Sequence, residues 1–112
     1  MFRFGPCAAV FLGFFVAGVG LPAAADGDFT LTIHDHKYDP TDLAVPANTK
    51  VKLVVKNLDA TPEEFESFDL NREKVVGAGG QIEVFVGPLA PGKYEFFGDF
   101  HQDTARGHLI VQ

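Results

Sequence analysis

His101 is the residue around which chemistry could be built. It closes the run Tyr94-Glu95-Phe96-Phe97-Gly98-Asp99-Phe100-His101, and carboxylates stand two residues away on either side, at Asp99 and Asp103. A second acidic group, Glu63, Glu64 and Glu66, surrounds Phe65. In an extended run Glu64 and Glu66 project to the same side. His36 ends the first alternating stretch, just before Tyr38 and Pro40. Imidazole nitrogens with carboxylate oxygens make a borderline-to-hard donor set. Such a set suits iron, Cu(II) or Zn better than Cu(I), which prefers thiolate or thioether. The one Cys and the one Met, Cys7 and Met1, lie within the first 25 residues, so the rest of the chain offers no sulfur ligand. Plainer readings stand beside this one. A loop histidine is often only solvated, Glu63, Glu64 and Glu66 could form a solvated charged turn, and Asp99 and Asp103 could cap turns. His34 alternates with Ile33 and reads as surface, and His108 opposes Leu109 and Val111 and reads as an exposed strand residue.

The elements that must position these groups begin after an export signal. Residues 2–19 are apolar with one cation, Arg3, and lead into Gly20-Leu21-Pro22-Ala23-Ala24-Ala25. A short positive start, an apolar centre and a small-residue ending predict a secretory signal peptide over 1–25, cleaved to leave one domain over 26–112. The glycines and prolines of the segment argue against a retained spanning helix. The mature chain is then expected in the periplasm, with no membrane attachment. At this size it holds one small domain, without a disulfide to brace it. The formal charge of −6 becomes about −7 once Arg3 is removed. With lysines and arginines scattered, that balance disfavours nucleic acid and anionic lipid and suits cations or a basic partner.

Alternation predicts strands. Phe29, Leu31 and Ile33 mark one; Val51, Leu53 and Val55 mark another within 50–57; Ile82, Val84 and Val86 a third; Tyr94 and Phe96, then Leu109 and Val111, the last two. Turn signals fall at Asp39-Pro40-Thr41-Asp42, Pro46-Ala47-Asn48, Ala78-Gly79-Gly80 and 88–92. Residues 63–73 are charged, with Phe65, Phe68 and Leu70 interspersed, and fit one helical turn or a bent strand. Short strands with turn signals every eight to twelve residues predict an all-β sandwich. Of the phenylalanines outside the leader most read as core, while Phe97 and Phe100 flank the proposed site and could shield it from water.

The 94–107 stretch resembles the ligand loop of the cupredoxins, the plastocyanin and azurin family. In that pattern a Tyr-x-Phe-x strand delivers a Cys, a His follows three residues later, then an axial Met, then a Gly. Here Gly98 stands in the Cys slot, His101 in the His slot, Ala105 near the Met slot, and Gly107 at the closing Gly. The family's first His lies after an Asn-terminated strand, and the matching run here, Asn57 to Glu66, carries carboxylates in that place. The resemblance favours Glu64 there, with Glu66 close behind. It implies a cupredoxin-like Greek-key β-sandwich with metal ligands drawn from His101, Glu64, Glu66, Asp99, Asp103 and His36.

The wider combination of Glu63-Glu64-Phe65-Glu66-Ser67, 69–74, Gly87-Pro88-Leu89, Pro91-Gly92-Lys93-Tyr94 and Phe100-His101 is similar to small periplasmic cupredoxin-domain proteins without the blue-copper Cys. Some of these accompany an iron permease and an acidic periplasmic metal-binding protein in bacterial ferrous-iron uptake. That implies copper and/or iron as the bound metal, and copper-assisted oxidation of Fe(II) to Fe(III) before import. The competing expectations are a copper carrier or resistance protein that passes the ion on, and a β-sandwich interaction module without metal. A hydrolase is disfavoured: Ser67 is the only serine, and neither a Gly-x-Ser-x-Gly turn nor a phosphate-binding glycine loop is present.

Overall fold

The computed structural model describes residues 28–112, and the predicted signal peptide lies outside the described residues. Nine strands follow in chain order: β1 Asp28–His34, β2 Lys37–Asp39, β3 Asp42–Val45, β4 Val51–Asn57, β5 Glu63–Ser67, β6 Arg72–Val76, β7 Gln81–Val86, β8 Gly92–Phe97 and β9 Arg106–Val111. They form two sheets, ordered β2-β1-β4-β7 and β3-β9-β8-β5-β6. The chain crosses between sheets at β2–β3 and returns at β3–β4. The pairs β1–β4 and β3–β9 are therefore parallel, and the other pairs antiparallel. This is the expected all-β Greek-key sandwich. Among the described residues no helix is long and apolar enough to cross a membrane.

The alternation read from sequence becomes the inner face. Leu31, Ile33, Leu53, Val55, Val84, Val86, Phe96, Leu109 and Val111 are all buried. In β4 the neighbour Val54 is buried too, although Lys52 and Lys56 on the same outer face are half-buried and exposed, respectively. At one end the core is aromatic. Tyr38 meets Phe96 edge-on at 4.8 Å between ring centroids and Phe65 at 6.4 Å, and Phe65 packs on Phe96 at 5.3 Å. Such pairs add about 0.5–1.5 kcal/mol each beyond the apolar area they bury.

The charged 63–73 stretch is neither a helical turn nor one bent strand. It is a hairpin, β5 and β6, joined through a turn at Asn71 with φ 56°. Ser67 fixes the entry to that turn: its hydroxyl donates to the Glu95 carbonyl at 2.6 Å and accepts from the Leu70 amide at 3.0 Å. Within β5, Phe65 points into the core. Glu63 and Ser67 share its side of the sheet, and Glu64 and Glu66 take the outer side.

Candidate metal centre

His36 is delivered by a two-residue hairpin connection. The β1–β2 register pairs His34 with Lys37, so Asp35 and His36 are the only loop residues. Their φ angles are 53° and 60°. Positive φ at both central residues is the signature of a type I′ hairpin, whose twist matches the flanking strands. His101 arrives from the other sheet, at the end of a 3-10 turn, Asp99–His101. Its carbonyl accepts the amides of Thr104 and Ala105, at 3.1 and 2.8 Å, which winds the loop back toward β9.

The two imidazoles stack, with centroids 3.6 Å apart and planes 15° from parallel. Between them and the core lies the Glu63 carboxylate. Its Oε2 is 2.6 Å from His36 Nδ1 and its Oε1 is 3.1 Å from His101 Nδ1. Glu63 is 1% exposed, whereas the histidine side chains are 40% and 34% exposed. A buried carboxylate thus faces two half-exposed rings, and one donor atom from each of the three residues falls within 4.8 Å of the others. An open cleft of about 600 Å³ adjoins the pair, lined among others by His36, Phe100, His101 and Asp103. Two imidazole nitrogens and one carboxylate suit a borderline divalent ion such as Cu(II) or Zn.

The other expected ligands divide. Glu64, Glu66 and Asp99 form a separate all-oxygen group on the outer side of the sheet, again with donor atoms within 4.8 Å of one another. Glu64 accepts the Asp99 amide at 2.9 Å. Asp103 is exposed at the rim of the cleft and joins neither group. Phe97 does not shield the histidines; it packs on Phe68 at 5.3 Å, on the outer side opposite Glu66, with Arg106 over its ring. Phe100 does line the cleft and is 47% exposed. His34 and His108 lie outside both groups, each beside an aspartate, Asp35 and Asp42 respectively. Glu63 was one of three carboxylates the sequence left open, and the cue to it is Phe65: a core residue fixes the parity of the strand, and Glu63 shares its face.

Electrostatics separate the groups further. Burial, with the Glu66 and Glu73 carboxyls nearby, pushes the Glu64 carboxyl up to about 7. Burial, with the charges of Glu63 and Glu64, raises the Tyr38 phenol, which stays protonated and donates to the Glu64 carbonyl at 2.6 Å. Burial alone would raise Asp59 as well. Contact with the Glu63 carboxyl group, hydrogen bonds from the His36 and Asp35 amides, and the His36 charge hold it below the usual carboxylate range. The Glu64 shift has a consequence for stability. The folded chain keeps a proton on Glu64 up to about 7, while an unfolded carboxyl releases it near 4.5. Between those values the native state binds more protons, so stability of the metal-free protein falls as pH rises through that window. Glu64→Gln keeps an oxygen for the Asp99 amide and removes the dependence. Its melting temperature at pH 8 is expected to exceed that of wild type by about 4 °C or more, with the gain shrinking toward pH 4; an equal difference at both pH values would contradict this.

The slots expected for Cys and Met are closed. Gly98 donates its amide to the Ala105 carbonyl at 2.9 Å, and Ala105 is buried at 1% exposure. A Cβ on Gly98 would lie 2.9 Å from the Glu64 carbonyl oxygen and 3.1 Å from Ala105 Cβ. Gly98→Cys is therefore expected to cost about 1–3 kcal/mol through overpacking. With Cu(II) it should give no intense blue absorption; thermal melting and a visible spectrum check both.

Comparison with known proteins adds the family. The profile of the Cupredoxin-like domain matches residues 6–111. An uncharacterized protein of Rickettsia prowazekii (strain Madrid E) is 56% identical over 81 residues, 72% of this chain; the match spans 65% of that protein's length. Among solved structures, auracyanin A, a "blue" copper protein of Chloroflexus aurantiacus, superposes with a TM-score of 0.67 at 15% identity, over 78% of this chain and 99% of its own. Amicyanin of Paracoccus versutus gives 0.59 at 20% identity, over 82% and 85% of the two chains. The Cu(I)-bound metal-binding domain of the Cu(I)-exporting ATPase CopA from Streptococcus pneumoniae D39 gives 0.70 at 12% identity, over 83% and 91%. At these identities the structural likeness speaks for the fold alone.

Proposed function

Since the chain belongs to the family of cupredoxin-like domains, we propose that it is an exported metal-binding protein that takes copper at His36, Glu63 and His101 and assists ferrous-iron uptake. The observation that carries the proposal is the convergence of two Nδ1 atoms on one buried carboxylate. No thiolate or thioether lies within the described residues, so the donor set fits Cu(II) and does not fit a blue-copper electron carrier.

Bound copper would supply one-electron exchange. The residues themselves do the rest. Glu63 holds the imidazoles in register and contributes negative charge in a poorly solvated position, and Phe100 covers part of the approach. Glu64, Glu66 and Asp99 offer hard oxygen donors on the same two chain segments, and these favour Fe(III) over Fe(II) because the harder ion gains more from them. Iron enters as substrate: four Fe(II) each give up one electron, and one dioxygen takes the four electrons with four protons to form two waters. An iron permease and an acidic periplasmic metal-binding protein are the partners this reading implies. Asp103, at the mouth of the cleft, adds negative charge along the approach.

The second reading is a copper carrier that binds and passes the ion without redox chemistry. What favours it is the open cleft beside His36 and His101, through which a bound ion can be handed on. Oxygen consumption separates the two. With one Cu(II) bound per chain, added Fe(II) should be oxidised at least about tenfold faster than with the metal-free protein, about 1.4 kcal/mol in barrier. Tight Cu(II) binding without acceleration leaves the carrier, and no binding of Cu(II), Zn(II) or Fe(II) in the micromolar range leaves the interaction module.

A further inference from the structure

We infer that Asp59 is a positioning residue for the His36–Glu63–His101 centre, setting its affinity by clamping the two-residue turn that carries His36. This rests on the metal reading above, and begins from an energetic difficulty in that turn. Type I′ turns favour Asn, Asp or Gly at the first central position and Gly at the second, because both sit at positive φ. Here the pair is Asp35-His36, at 53° and 60°, and neither residue is Gly. His36 therefore stands where the preferred pairs place Gly, in a backbone conformation that its Cβ disfavours, and something else has to hold the turn.

Asp59 is the only side chain seen to do so among the described residues. Its Oδ1 accepts the Asp35 amide at 2.7 Å and its Oδ2 accepts the His36 amide at 3.0 Å, across 24 and 23 residues of chain. The two oxygens thus collect both consecutive N–H groups of the turn. Oδ2 also lies 3.5 Å from His36 Nδ1, so the carboxylate that holds the backbone stands beside the ring that Glu63 contacts at 2.6 Å.

Asp59 is itself anchored to the buried frame. Its amide donates to Asn57 Oδ1 at 2.8 Å, and its carbonyl accepts from Gly79 at 3.1 Å. The side chain of Asn57, fully buried, donates to the carbonyls of Thr61, Val76 and Gly77 at 2.8, 3.1 and 3.2 Å. A continuous path therefore runs from a buried asparagine at the end of β4, through Asp59, to the His36 turn. Removing Asp59 would leave His36 on a two-residue turn with no such anchor. The metal would then have to order that turn on binding, which lowers affinity without changing the ligands.

The test is a double-variant cycle on the full mature chain with Cu(II) as probe. Asp59→Ala should weaken Cu(II) about 10–100-fold, the range typical of removing a partner that orients a ligand. In the His36→Ala background the same change should have almost no further effect, because the clamped ligand is already gone. A merely structural role would weaken binding equally in both backgrounds, and that result, or unchanged affinity in the single variant, overturns the inference. A second readout does not involve metal: the Asp35 and His36 amide protons should exchange slowly in wild type and at least about tenfold faster in Asp59→Ala. Equal exchange in the two proteins also overturns the inference. If wild type binds no Cu(II), the metal reading fails and the affinity role with it, while the amide measurement still decides whether Asp59 holds the turn.

Discussion

Glu63→Gln should lower Cu(II) affinity by at least about 100-fold, beyond the 10–100-fold typical of partners one shell out, while Glu64→Gln leaves it nearly unchanged. The two residues are neighbours on β5, yet their side chains leave opposite faces of the sheet. Both oxygens of Glu63 are engaged with imidazole nitrogens, whereas Glu64 meets the Asp99 amide on the outer side. An amide in place of the Glu63 carboxylate removes the negative charge and turns one acceptor into a donor aimed at an imidazole. Isothermal titration of the two variants decides it. Equal losses would mean that the copper lies between the two groups, and a larger loss in Glu64→Gln would move it to the outer side of the sheet.

The largest expected effect on the fold comes from Gly107→Ala. A Cβ at this position would stand 2.3 Å from the Thr41 carbonyl oxygen and 2.6 Å from Phe96 Cζ. Neither neighbour can yield. The Thr41 carbonyl accepts the His108 amide at 2.7 Å, at the start of the β3–β9 ladder, and Phe96 is fully buried in the aromatic core. We expect a loss of about 3 kcal/mol or more, a fall in melting temperature of roughly 12–24 °C for a domain of this size. Gly77→Ala is the control, since nothing lies within 4 Å of its added Cβ; it should stay within about 0.5 kcal/mol of wild type. Comparable melting for the two variants would contradict the packing described for the β8–β9 corner.

What could be read from sequence was what alternation encodes. The strands β1, β4, β7, β8 and β9 carry their burial as a two-residue period, and each lies where that period predicts. The β5–β6 hairpin was hidden because its outer face is acidic and its turn rests on Ser67 and on Asn71 at positive φ rather than on a Gly-rich signal. The choice among Glu63, Glu64 and Glu66 was blurred for a related reason. Counting toward a family motif carries an uncertainty of one residue, and one residue in a strand reverses the face. The parity set by Phe65 resolves it. Asp59 was beyond reach, because its task is to accept two amides from a turn more than twenty residues away, and spacing carries no trace of that. The closed slot at Gly98 was half visible: the missing Cβ is in the sequence, but the Glu64 carbonyl that fills the space is not.

Pulsed electron paramagnetic resonance of the mature chain with one equivalent of Cu(II) tests the metal centre most directly. Two imidazole nitrogens should couple to the copper, without the narrow hyperfine splitting and intense colour of a thiolate site. One coupling should disappear in His36→Ala and the other in His101→Ala. A wild-type spectrum without imidazole coupling, or one that persists unchanged in the double histidine variant, would show that the metal does not bind at His36, Glu63 and His101.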